Sequence, residues 1–139
     1  MKGETKDKFI IKGLGGKKTL KGKISVSGAK NAVLPALASS ILFKDKFCIS
    51  NVPNIKDVES ILSLLEKLGS NIEKTGEKKY CVVTNEIKST TLDKELSKKM
   101  RGSIALAGPL LARYGKVFFP HPGGCVIGER PIDIYIDAF

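Results

Sequence analysis

The stretch HPGGCVIGERP, His121 to Pro131, sets a thiol, Cys125, behind two glycines and ahead of a Gly-Glu-Arg-Pro turn. Gly123 and Gly124 open backbone conformations closed to other residues, so this loop can fold over a ligand and deliver its side chain instead of burying it. A thiol so placed can donate a proton, and its thiolate is a strong nucleophile where neighbouring cations lower its pKa. Arg130 adds a guanidinium suited to phosphate or carboxylate, and Pro131 fixes the backbone behind it.

Two further positions carry charge at useful places. Lys30 and Asn31 stand where a strand-like run gives way to a helical one, so an ammonium, an amide and free helical N–H groups converge on an anion site. The same pair also reads as a surface lysine beside a helix N-cap, with Asn31 as the cap. Arg101 lies between KKM and a run of small apolar residues, where a guanidinium can hold a phosphate through two parallel bonds or sit solvated at a helix end. Arg113 carries no such pattern and reads as structural.

The remaining cysteines, Cys48 in KFCISNV and Cys81 in KYCVVTN, sit in apolar strand-like runs and read as small buried hydrophobes. Three cysteines without a C-x-x-C pair, and the lone His121, disfavour disulfide and metal frameworks. The GLGGKKT stretch lacks the spacing of the dinucleotide and P-loop motifs, which leaves Gly13 to Gly16 as a surface turn.

The elements that must position these groups follow from periodicity. KFIIKG and LKGKISVSG read as two strands around that turn, the second alternating Ile24 and Val26 with Ser25 and Ser27. NAVLPALASSILF carries Leu34, Leu37, Ala38, Ile41 and Leu42 at helical spacing. CISNVPN reads as strand and turn, and a second helix starts at Ile55 or Lys56 with Val58, Ile61, Leu62, Leu65 and Leu68 on one face until Gly69 ends it. SNIEKTGEKKYCVVTNE reads as a hairpin turning near Thr75 and Gly76. A third helix spans Lys94 to Arg113, interrupted by Gly108-Pro109, before the strand KVFFP. The order βαββ then αβ implies an α+β layer with helices on one side of a sheet.

Composition narrows the function classes. With 139 residues and 42% hydrophobic content the chain can bury one core. No segment approaches about 18 uninterrupted apolar residues, and no secretory leader opens the chain, which implies a cytoplasmic protein without membrane contact. The net charge of +10 comes from 21 dispersed lysines and only three arginines, with nine aromatics and no basic-aromatic groove. That pattern reads as a solvated surface and argues against nucleic acid as a partner, although a positive field still attracts a small polyanion. The apolar periodic end, RPIDIYIDAF, without cap or polar tail, implies an incomplete chain stopping at Phe139.

Four motifs, SGAKNAVLPALASSIL, NVPNIKDVESILSLLEKLG, KKMRGSIALAGPLLARYG and PGGCVIGERPIDIY, occur in the order and spacing that resemble the first third of the UDP-N-acetylglucosamine enolpyruvyl transferase family, from about Lys8 onward. The resemblance implies transfer of the enolpyruvyl group of phosphoenolpyruvate to the 3-hydroxyl of UDP-N-acetylglucosamine, the first committed step of peptidoglycan synthesis. It implies an inside-out α/β barrel fold of βαβαββ repeats, of which only part is present here. Residues 1–27 would be strands packed in the second domain, and residues 28–139 an incomplete first domain. By the same resemblance Lys30 and Asn31 bind phosphoenolpyruvate, Arg101 contacts the nucleotide-sugar, and Arg130, Pro131, Ile132, Asp133 and Ile134 line its site. Cys125 would protonate the methylene carbon, form a covalent adduct and be the target of fosfomycin. No metal or organic cofactor is implied. The partners are the two substrates and the missing C-terminal domain, so the chain alone would be inactive. Tyr135 departs from the histidine common at that position. A shikimate-type enolpyruvyl transferase and a non-enzymatic basic nucleic-acid-binding module remain the rival readings.

Overall fold

The computed structural model describes residues 8–16, 19–123 and 131–139. Helix α1, Lys30–Ser39, runs into a 3-10 turn at Ser40–Leu42, and its Val33, Leu34, Leu37 and Ala38 are buried together with Ile41. Strand β1, Phe47–Ile49, follows. Helix α2, Lys56–Leu68, buries Val58, Ile61, Leu62, Leu64, Leu65 and Leu68 along one stripe, as the 3.6-residue spacing requires. Gly69 ends it in the left-handed region at φ 111°, where Gly69 and Ser70 N–H groups reach back to the Glu66 and Leu65 carbonyls.

Strands β2, Asn71–Gly76, and β3, Lys79–Val83, form the expected hairpin, and β1 adds to the other edge of β3, giving an antiparallel order β1-β3-β2. Alternation gives the sheet two faces. Ile49, Ile72, Tyr80 and Val82 face the helices, with Val82 in the core and the others packed against it. Cys48, Cys81 and Glu73 therefore face away.

Here the structure bears out the burial expected of Cys81 and corrects two other readings, the burial of Cys48 and the absence of a disulfide. Cys48 is exposed, because alternation puts it on the outer face, and the β1–β3 register places it directly opposite Cys81, to which it is disulfide-bonded. The register depends on contacts 33 residues apart in sequence, beyond the reach of a local pattern.

Three other expectations also change. The third helix is two: α3, Lys94–Lys99, and α4, Ala107–Tyr114, joined by a 3-10 segment at Arg101–Leu106. The break falls at Met100, whose backbone is extended (φ −146°, ψ 133°), whereas Gly108 and Pro109 lie within the first turn of α4, where a missing N–H is tolerated. KVFFP forms only an isolated bridge, Phe118 with Thr91. KFIIKG and residues 19–29 carry no strand pairing, and Phe9, Ile10, Ile11, Leu20, Ile24 and Val26 are exposed, because their alternating faces meet no ladder among the described residues. Gly15 and Gly16, with φ 59° and 82°, form the expected turn.

A short helix, α5, Asp133–Ala138, completes the described chain. Arg113, in the last turn of α4, donates to the backbone carbonyls of Ile41, Phe43, Thr84 and Asn85 and so ties α4 to the end of the α1 arm and the end of the hairpin. Its expected structural role is the one observed. No helix among the described residues is long and apolar enough to cross a membrane.

Candidate functional site

The start of α1 is set by backbone contact and not by a side-chain cap. The N-cap is Ala29, and Asn31, expected there, lies inside the first turn with no capping bond from its side chain. Gly28, just before, approaches the Asn51 carbonyl so closely that any Cβ would collide with it, and Asn51 itself adopts φ 58°. Asn51 Nδ2 donates to the Val26 carbonyl at 3.4 Å. The β1–α2 connection is thereby held against the entrance of α1.

That juxtaposition brings the first turns of two helices side by side. Lys30, at the first position of α1, forms an ion pair with Asp57, in the first turn of α2. A carboxylate there faces the positive end of the α2 dipole. Both line a cavity of about 460 Å³, together with Asn31, Leu34, Lys99, Met100, Arg101 and Tyr135. Residues nominated from two separate motifs, Lys30 and Asn31 from one and Arg101 from the other, therefore share one cavity. Its described lining carries three cations and one carboxylate, a balance that favours an anionic ligand.

Arg101 reaches the cavity because the chain breaks at Met100, and its Nη2 donates to the Pro131 carbonyl at 3.1 Å. A guanidinium carries further N–H donors of the kind that hold a phosphate or carboxylate. Ile132 is buried and anchors α5, so that Tyr135 is carried to the cavity wall. Asp133 and Ile134 do not line this cavity, and Ile134 is 80% exposed. Cys125 and Arg130 lie outside the described residues. The chain leading toward them is fixed, since Gly123 N–H donates to the Ser97 carbonyl at 3.0 Å and packs on the Lys98 backbone with no space for a Cβ.

Sequence reasoning missed Asp57 and Lys99. An acid in the first turn of a helix reads as ordinary dipole compensation, and Lys99 as one of many surface lysines, so neither type nor spacing set them apart. Outside the cavity, Asp93 caps α3 by accepting from Leu96 N–H at 2.9 Å and pairs with Lys67 at 2.6 Å. The Lys67 bond, then the Leu96 N–H, hold its carboxyl below the ordinary value.

A family model described as EPSP synthase (3-phosphoshikimate 1-carboxyvinyltransferase) matches residues 14–139. Among curated proteins, the chain is 47% identical over 130 residues to a UDP-N-acetylglucosamine 1-carboxyvinyltransferase of Cellvibrio japonicus, covering 94% of the chain and 30% of that protein. It is 48% identical over 119 residues to the protein of the same name from Campylobacter hominis, covering 86% of the chain and 28% of the relative. The chain thus spans about a third or less of the length of these relatives. Among solved structures, the enolpyruvyl transferase NikO from Streptomyces tendae superposes with a TM-score of 0.61 at 22% identity, over 69% of this chain and 22% of that one. That likeness concerns the fold.

Proposed function

Because the chain belongs to the EPSP synthase family, matched by its family model from residue 14 to residue 139, we propose that it forms part of an enolpyruvyl transferase whose acceptor is UDP-N-acetylglucosamine. The observation that carries the reading is the single cavity shared by Lys30, Asn31 and Arg101. The acceptor is chosen on the names of the relatives at 42–48% identity.

In this reading the 3-hydroxyl of the sugar adds to the central carbon of phosphoenolpyruvate while a proton reaches the methylene carbon, and the tetrahedral intermediate then expels phosphate. Lys30 and Arg101 offset the phosphate and carboxylate charge by preorganised donors, a contribution of several kcal/mol in enzyme sites generally. Asn31 offers an amide to the same anion. Cys125 is the proton donor and the nucleophile that epoxides such as fosfomycin alkylate, and Arg130 with residues 131–134 bounds the nucleotide-sugar. Residues 1–27 pack in a second domain that supplies the rest of the site. The exposed Phe9, Ile10, Ile11, Ile24 and Val26 support that assignment, since apolar side chains in an unpaired segment are suited to a partner surface. The reaction serves peptidoglycan synthesis, and hence cell-wall growth and division, in the cytoplasm.

Phosphate release by the full-length polypeptide tests the proposal. Release with UDP-N-acetylglucosamine and none with shikimate 3-phosphate is the expected result, and the reverse assigns the shikimate-type acceptor instead. The 139-residue chain alone is expected to release none. Cys125→Ser suppresses turnover strongly, because a hydroxyl is a far weaker acid than a thiol, whereas Cys125→Asp retains it while escaping alkylation. Wild-type turnover by Cys125→Ser overturns the proton-donor role.

A further inference from the structure

The disulfide on the outer face of the sheet has two unlike ends. Cys81 is 6% exposed, on the central strand β3, while Cys48 is exposed on β1, an edge strand of three residues. Thr75 Oγ1 lies 4.0 Å from Cys81 Sγ, within reach of a weak hydrogen bond to sulfur. One sulfur is therefore open to a nucleophile, and the other is placed as a leaving group beside a hydroxyl donor. Thiol–disulfide exchange has those two requirements, access for the attacking thiolate and stabilisation of the departing one.

We propose that Cys48–Cys81 is a thiol–disulfide exchange site with a fixed polarity, which takes low-molecular-weight thiols as its reactant. A thiolate attacks Cys48 Sγ, the sulfur–sulfur bond breaks, and its electron pair leaves on Cys81 Sγ, which takes a proton from water. The product is a mixed disulfide at Cys48 and a free thiol at Cys81. A second thiolate attacks the small-molecule sulfur of the mixed disulfide and releases Cys48 as a thiolate. The balance is one protein disulfide and two thiols converted to one protein dithiol and one small-molecule disulfide.

The link also bears on the cavity. It closes a loop with a sequence separation of 33 that contains all of α2, and β1 leads through Asn51, the residue against which Gly28 packs, into the first turn of α2 where Asp57 stands. Reduction removes the one covalent tie of β1 and leaves it on its three-residue ladder, the packing of Ile49 and the bonds of Asn51 and Val52 to the Val26 and Lys78 carbonyls, so the β1–α2 connection gains freedom while β2–β3 does not.

The test uses the folded chain carrying Cys125→Ser, so that the third thiol takes no part. Without reductant, Cys48 and Cys81 should resist alkylation by iodoacetamide. With glutathione under native conditions, peptide mapping of acid-quenched samples should find the glutathione adduct on Cys48 in roughly tenfold or greater excess over Cys81, as exposure dictates. With excess dithiothreitol both cysteines should alkylate, and amide exchange in residues 47–55 should rise while that of 79–83 stays within about twofold. Free thiols at both positions after air oxidation, a requirement for denaturant before reduction, or an adduct first on Cys81 each overturn the proposal.

Discussion

Replacing Arg113 removes four hydrogen bonds that join segments about 30 and 70 residues away, so it measures how much of the fold hangs on one guanidinium. The bonds to Phe43 and Asn85 are exposed, the latter at 3.1 Å, and water can replace them at little cost. Those to the Ile41 and Thr84 carbonyls are partly buried, the second at 2.9 Å. Bonds to a charged donor contribute about 1.5–3 kcal/mol each, so losing these two costs about 3 kcal/mol at the lower end, which partial burial makes appropriate. At an unfolding entropy of about 2.1 cal/mol/K per residue over 139 residues, Arg113→Met should lower Tm by about 10 °C. Arg113→Lys keeps the charge as a point without the planar fork, and should recover about half of that loss. Thermal unfolding followed by far-ultraviolet circular dichroism reads both. If both variants melt within about 2 °C of the parent chain, the carbonyls are satisfied without the guanidinium and the reasoning fails.

Asp93→Asn preserves the cap acceptor but removes the charge paired with Lys67. Because the carboxyl is held below its reference value of 3.8, the stability it adds is present above that value and lost as pH falls through the lower folded one. Urea midpoints of parent and variant should therefore differ by a constant amount near neutrality and converge in strong acid; a gap that persists at pH 2 contradicts the pairing. Gly28→Ala forces a Cβ into the Asn51 carbonyl and should cost about 1–3 kcal/mol. It should also displace Lys30 from Asp57, visible as faster amine acylation of Lys30 than in the parent chain. Unchanged stability with unchanged Lys30 reactivity refutes it.

Much of this organisation was legible in the chain where the determining contacts are local. Helix α2 declares itself through its apolar stripe and Gly69, and the hairpin through its alternation, because a single element fixes each pattern. Lys30, Asn31 and Arg101 could be nominated singly by residue type, yet only the fold shows that one cavity joins them and admits Asp57 and Lys99. Asn31 looks like a cap, but the contact of Gly28 with Asn51 fixes the helix entrance two residues earlier, at Ala29. The alternation in residues 20–27 is genuine, but alternation cannot name the strand that will pair with it. Cys48 and Cys81 meet only through sheet register, which no spacing within either segment encodes.

The extended residue at Met100 decides which way an arginine points. In an unbroken helix, Arg101 would follow Ser97 by four residues and share its face, and Ser97 is 0% exposed against the core. The guanidinium would then be driven among leucines, where desolvation would either unfold the segment or expel the side chain. One non-helical residue resets the phase and turns the same arginine out toward Lys30. Substitutions that make residues 94–106 better helix formers would accordingly trade the place of Arg101 in the cavity wall for regularity. An arginine at the cavity wall and a more uniform secondary structure are competing outcomes at this position, and the chain is organised around the less regular one.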